Sequence, residues 1–86
     1  MDISPIVLEH ISTLANCLPE DLEPGTLLHE TLGLDSLDYV ELTMLIEEDA
    51  DAVIGWAEIP SDITVGGFVA MCQAEYDAYI EAHPGI

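Results

Sequence analysis

Apolar positions recur along this chain at helical spacing in three places. Ile3, Val7, Ile11, Leu14 and Leu18 lie three or four residues apart and predict a first helix. Ser4 is a favourable N-cap, Pro5 suits the first helical position, and Pro19 ends the pattern. A second helix is predicted from Ser36 to about Asp49, uninterrupted by Gly or Pro, with Asp35 as its cap and Asp38 adding negative charge to its first turn. The last helix is predicted from a Thr64 cap to about Ala82, with Val65, Phe68, Val69, Cys72, Tyr76, Tyr79 and Ile80 on one face. Gly66 and Gly67 weaken its first turn, and Pro84-Gly85 follows it.

Between these helices the pattern changes. From Pro19 to Asp35 the chain reads as a long loop with a turn at Pro24-Gly25. Leu22, Leu27, Leu28, Leu32 and Leu34 predict that it lies down over the core, and a short helix over Thr26–Leu32 is an alternative. Gly55 and Pro60 leave room for a short helix around Trp56–Ile59, with Trp56 either in the core or half exposed beside a loop. No alternation long enough for a strand occurs. The prediction is an all-α fold: one domain over residues 1–86, a small four-helix bundle with a short third helix and a long loop between helices I and II.

Charge narrows the function classes. The 86 residues include 18 Asp and Glu, no Lys and no Arg, for a net charge of −18. Only the amino terminus and protonated His10, His29 or His83 offer positive charge, so self-repulsion weakens the compact state. Binding to nucleic acid requires basic side chains and is not expected. The expected partners are basic surfaces and divalent cations. No basic segment precedes an apolar run at the start, and no apolar run is long enough to cross a membrane; the reading is a cytoplasmic protein without membrane association. Cys17 and Cys72 stand in apolar stretches without metal-ligand spacing and read as buried free thiols.

The stretch Gly33-Leu34-Asp35-Ser36-Leu37-Asp38-Tyr39-Val40-Glu41-Leu42 carries the chemistry. It sets one serine at a helix N-terminus, which favours phosphate, between two aspartates, which repel it. The aspartates suit a divalent cation present while a phosphoryl group is delivered. That arrangement fits a serine modified by another enzyme better than a nucleophile, for which His10 and His29 supply no recognisable base pattern. On helix II, Tyr39, Leu42 and Ile46 form a core stripe. Leu37, Val40 and Met44 form a second stripe, bordered by Glu41, Glu47 and Glu48. An apolar strip framed by acids suits docking to a basic partner; burial of helix II on two sides is the alternative. The run Glu47-Glu48-Asp49-Ala50-Asp51 lacks the spacing and glycine of an EF-hand loop. His83 reads as a favourable charge at a helix C-terminus when protonated.

Gly33-Leu34-Asp35-Ser36-Leu37 resembles the phosphopantetheine attachment motif of acyl carrier proteins. Asp35-Ser36-Leu37-Asp38 with Val40-Glu41-Leu42 and Glu47-Glu48 is similar to the bacterial type II carriers. The resemblance implies a non-catalytic carrier of acyl groups, held as thioesters on a covalent 4'-phosphopantetheine arm at Ser36, in fatty acid or polyketide-type synthesis. It implies that Asp35 and Asp38 lie by the metal when a phosphopantetheinyl transferase acts, with no fixed metal site otherwise. It implies that Asp35, Leu37, Asp38, Val40, Glu41, Met44, Glu47 and Glu48 face partners, namely the transferase and the acyl-transferring and chain-elongating enzymes. It implies further that Leu42, Ile46, Ile54, Ile63 and Phe68 line an acyl cleft. The carrier role points to a monomer. Such carriers often end helix II on a bulky aromatic, where this chain has Ala50. A competing class is a non-covalent acidic protein that mimics nucleic acid; it explains the charge but not the placed Asp-Ser-Leu-Asp run.

Overall fold

A computed structural model describes residues 1–55 and 59–82. Among these the chain is all-helical, with α1 over Ser4–Ala15, α2 over Ser36–Ala50 and α3 over Val65–Ala82. A single 3₁₀ turn covers Pro19–Asp21. Trp56 and His83 lie outside the described residues, as does most of the predicted short helix, and Ile59 itself is not helical.

α1 starts one residue earlier than a Ser4 cap predicts. Ile3 occupies the cap position without a side-chain cap, and the Asp2 carboxylate accepts the Ser4 N–H instead, at 3.0 Å. The reason is tertiary. Ile3 is fully buried, and its N–H donates to Gln73 Oε1 of α3 at 2.8 Å, while Gln73 Nε2 donates to the Met1 carbonyl at 2.8 Å. α1 also ends earlier than predicted. Asn16 turns left-handed (φ 58°), and the Cys17 N–H closes back on the Ser12 carbonyl at 2.9 Å. Asn tolerates this conformation better than most residues, so the helix stops there instead of at Pro19. Leu18 therefore leaves the apolar stripe and is 56% exposed.

The core is built from the predicted faces. Ile3, Val7 and Ile11 of α1, Tyr39, Leu42 and Ile46 of α2, and Val65, Phe68, Cys72 and Tyr76 of α3 are buried together. Ile80 falls outside this face and is exposed. α1 packs directly against both other long helices, whereas α2 and α3 meet through side chains. There the rings of Tyr39 and Phe68 stack at 6.2 Å between centroids. Cys72 is buried, but Cys17 is only half-buried, because it lies past the end of α1; both are free thiols.

The long loop covers the core through Leu28 and Leu34, both buried, and forms turns in place of a helix over Thr26–Leu32. It is clasped to the start of α3. The Leu28 N–H donates to the Ile63 carbonyl (3.1 Å), Val65 N–H to Thr26 (2.8 Å) and Gly66 N–H to Pro24 (2.9 Å). A side chain at Gly66 would meet the Pro24 carbonyl oxygen at 3.2 Å, so this glycine admits the loop. Thr64 caps α3 as predicted, its hydroxyl oxygen accepting the Gly67 N–H at 3.0 Å.

Candidate functional site

The chain enters the site through a glycine turn. Gly33 adopts φ 74°, and its N–H donates to the His29 carbonyl at 2.9 Å. Leu34 is then fixed at three points: its side chain is buried, its N–H donates to the Leu28 carbonyl (3.0 Å), and its carbonyl accepts from His29 Nδ1 (2.8 Å). A carbonyl only accepts, so Nδ1 carries the hydrogen in that contact.

Directly after this anchor, Asp35 and Asp38 form a capping box. Asp35 Oδ1 accepts the N–H groups of Leu37 (3.0 Å) and Asp38 (3.2 Å), and Asp38 Oδ2 accepts the Asp35 N–H (3.0 Å). Ser36 is thereby held as the first residue of α2 and is exposed. The box changes the electrostatics expected at a helix N-terminus. Two of the amides that would attract a phosphate are bonded to a carboxylate, and two negative charges flank the serine. An incoming phosphoryl group at Ser36 therefore requires a positive counter-charge brought with it. Among the described residues no cluster of three or more His, Cys, Asp or Glu side chains is placed to hold a metal ion.

The second stripe of α2 is free of the core. Leu37 is 77% exposed, Val40 43% and Met44 62%, which rules out burial of the helix on two sides. Glu41 and Glu48 beside them are exposed. Glu47 is half-buried and its Oε2 accepts the Ile54 N–H at 2.8 Å, so part of its role is to secure the chain after α2. Asp49 contacts His10 of α1, with Oδ2 2.6 Å from Nε2.

Next to Ser36 lies a recess of about 370 Å³, lined by His29, Asp35, Ser36, Tyr39, Ile59 and Ser61. Leu42, Ile46, Ile54 and Phe68 are instead buried in the core and Ile63 is half-buried; none of the five lines the recess. Sequence reasoning placed Tyr39 only in the core. Its ring is there, yet the residue also forms a wall of the recess, and its hydroxyl is buried with no partner among the described residues. Burial, with Asp35 and Asp38 adding to it, pushes the phenol above its ordinary pKa. The available signal was a hydroxyl-bearing aromatic on a core stripe, one turn beyond the serine.

Residues 5–71 match the family model described as the phosphopantetheine attachment site. An acyl carrier protein of Wolinella succinogenes is 38% identical over 68 residues, covering 79% of this chain and 84% of the relative. One of a Sulfurovum species is 38% identical over 61 residues, 71% of this chain and 69% of the relative. A serine set at the head of a helix, beside an exposed apolar strip framed by acids, is what remains to be read in that light, and the chain belongs to the acyl carrier protein family.

Proposed function

We propose that Ser36 is the attachment point of the 4'-phosphopantetheine arm on which this family carries acyl groups. The family's role is that of a carrier and not a catalyst, and it depends on enzymes of synthesis and on a transferase. The nucleic-acid mimic has no support from these relatives. The observation that carries the reading is the position of Ser36: exposed, first in α2, and held by the Asp35–Asp38 box at the mouth of a recess. These residues suit the arm, since Ser36 is exposed and the recess beside it is walled in part by Tyr39 and Ile59. In the loading step, Ser36 Oγ loses its proton to the transferase and bonds to the phosphorus of coenzyme A that bears the pantetheine. The pyrophosphate bond breaks and the adenine nucleotide leaves. Asp35 and Asp38 would hold a divalent cation during this step, which would supply the counter-charge for the incoming phosphoryl group. The arm supplies an accessible thiol for thioesters, which buried Cys72 does not.

Leu37, Val40 and Met44, with Glu41, Glu48 and the outer part of Glu47, form the surface for basic partners. Rim charges act mainly on encounter rate, so Glu41→Lys or Glu48→Lys slows modification while melting stays close to that of the parent. Leu42, Ile46, Ile54, Ile63 and Phe68 form the cleft for an acyl chain, opened where α2 and α3 touch only through side chains. The same reading takes the chain as a single domain of the four-helix-bundle type, and as a monomer working in the cytoplasm in fatty acid or polyketide-type synthesis.

The test is intact mass after incubation with a broad-specificity transferase, magnesium and coenzyme A. One added phosphopantetheinyl group, mapped to the Ser36 peptide and absent in Ser36→Ala, is expected. Of the other serines, Ser4 and Ser12 lie in α1, and Ser61 lies in the segment before α3. Modification of Ser36→Ala, or no gain with several transferases, overturns the assignment.

A further inference from the structure

His29 is tied to the chain two residues before Ser36. Its Nδ1–H donates to the Leu34 carbonyl at 2.8 Å, which fixes the ring and leaves Nε2 to gain or lose the titrating proton. The residue is exposed, and it shares the walls of the recess with Ser36 and Asp35. A sphere of the recess's volume, about 370 Å³, is about 9 Å across, which is within about one Debye length at 0.1 M salt.

Charge gives that position its meaning. A phosphodiester at Ser36 is a permanent anion set between Asp35 and Asp38, and two of the nearby amides are already bonded to Asp35 Oδ1. The chain has no Lys or Arg to answer it. His10 is engaged with Asp49 at 2.6 Å, and Met1 is held at α3 by Gln73. Among the described residues that line the recess, His29 alone can carry positive charge. The charged groups around it are all acids: Asp35 in the recess wall with Asp38 bonded to it, Glu30 beside His29 in the loop, and Asp62 next to Ser61. The remaining walls, Tyr39 and Ile59, are a neutral phenol and a hydrocarbon.

We propose that protonated His29 is the counter-charge for the phosphodiester at Ser36, and so couples the root of the arm to pH; this rests on Ser36 being the attachment point. His29 is a positioning residue, which takes its proton from water on Nε2 and makes no covalent bond. With the proton on, the linkage is paired and held. With it off, the linkage is left among acids and swings free.

The experiment uses the whole chain before and after loading, with loading verified by mass and magnesium then removed by chelation. The His29 ring is titrated by NMR from about pH 5 to 8, the range in which His changes charge. The phosphodiester is followed by ³¹P over the same range, where it has no titration of its own. Unit charges about 6–9 Å apart in water raise the proton affinity of the imidazole about two- to threefold, so the midpoint of His29 should move up by about 0.3–0.5 pH unit on loading. The ³¹P signal should inflect at the same midpoint. His29→Asn keeps a donor near the Nδ1 position for the Leu34 carbonyl and sheds the titrating proton, so it should flatten the ³¹P curve. Equal midpoints before and after loading of the wild type overturn the role of His29 whether or not the variant folds, as does an inflection that survives in His29→Asn; both leave the Ser36 assignment intact. Absence of any mass gain on the wild type overturns both.

Discussion

Replacing Asp35 separates what its oxygen does from what its charge does. Asp35 Oδ1 accepts two amides of the first turn of α2, and the reciprocal bond from the Asp35 N–H to Asp38 Oδ2 completes the box. Loss of an N-cap side chain to alanine costs about 0.5–2 kcal/mol. With two amides served by one oxygen, Asp35→Ala belongs in the upper half of that range, at about 1–2 kcal/mol. Opposing this, the substitution removes one of 18 acids from a chain without Lys or Arg. That relief is largely screened at about 0.15 M salt, where the Debye length is about 8 Å, and grows at about 0.01 M, where it is about 30 Å. Asp35→Asn keeps the acceptor and sheds the charge, so it should stay within about 0.5 kcal/mol of the parent, because Asn caps as well as Asp. The assay is urea unfolding followed by circular dichroism at both salt concentrations. With a slope of about 1 kcal/mol/M for so small a protein, Asp35→Ala moves the midpoint down by about 1–2 M and Asp35→Asn barely moves it. Asp38→Ala, alone and combined with Asp35→Ala, should show a coupling of about 0.5 kcal/mol or more. Equal losses in the Asn and Ala variants, or strict additivity of the two alanine substitutions, would refute the box as the device that sets Ser36.

Burial first, and Glu75 second, pushes the Cys72 thiol up to about 12 from its ordinary value of 9.0. The unfolded chain loses this proton first, so the stability it contributes is complete below about pH 9 and drains as pH rises toward 12, by up to about 1.4 kcal/mol per pH unit. Urea titrations of Cys72→Ala and wild type across that window should show a shallower alkaline decline in the variant; parallel slopes count against the effect. Gly33→Ala should cost about 1–2 kcal/mol, a purely backbone penalty because no atom lies within 4 Å of the added carbon. An unchanged urea midpoint would contradict it. Because the net charge is −18, melting temperature should rise with added sodium chloride and further with magnesium, and a flat or falling salt titration would show that self-repulsion does not limit stability.

Local signals were readable where local chemistry decides the structure. α2 begins at Ser36 because Asp35 and Asp38 cap it, and both residues announce this in the sequence; its end at Ala50 lies one residue past the expected Asp49. The Thr64 cap was legible for the same reason. The ends of α1 were less so. Its start is displaced by Gln73, distant in sequence, and its stop lies in the left-handed turn at Asn16, which an apolar spacing running on to Leu18 does not mark. Gly66 looked like a weakness of the last helix, whereas the structure needs it for a loop that approaches from residue 24. Tyr39 was placed by periodicity alone, which sees a ring facing the core and not a buried hydroxyl left without a partner among the described residues.

The clasp between Leu27 and Thr64 has a mechanical consequence. It gathers the chain at two points that adjoin in space, so that Ser36, the recess and the whole of α2 form a loop pinched shut at its neck. Tension applied at the two ends of the described chain passes through α1, the clasp and α3, and reaches α2 only after the neck has parted. The segment that carries Ser36 is thus shielded from tension applied at either end, and the amides of Leu28, Val65 and Gly66 are the stitches that must give first.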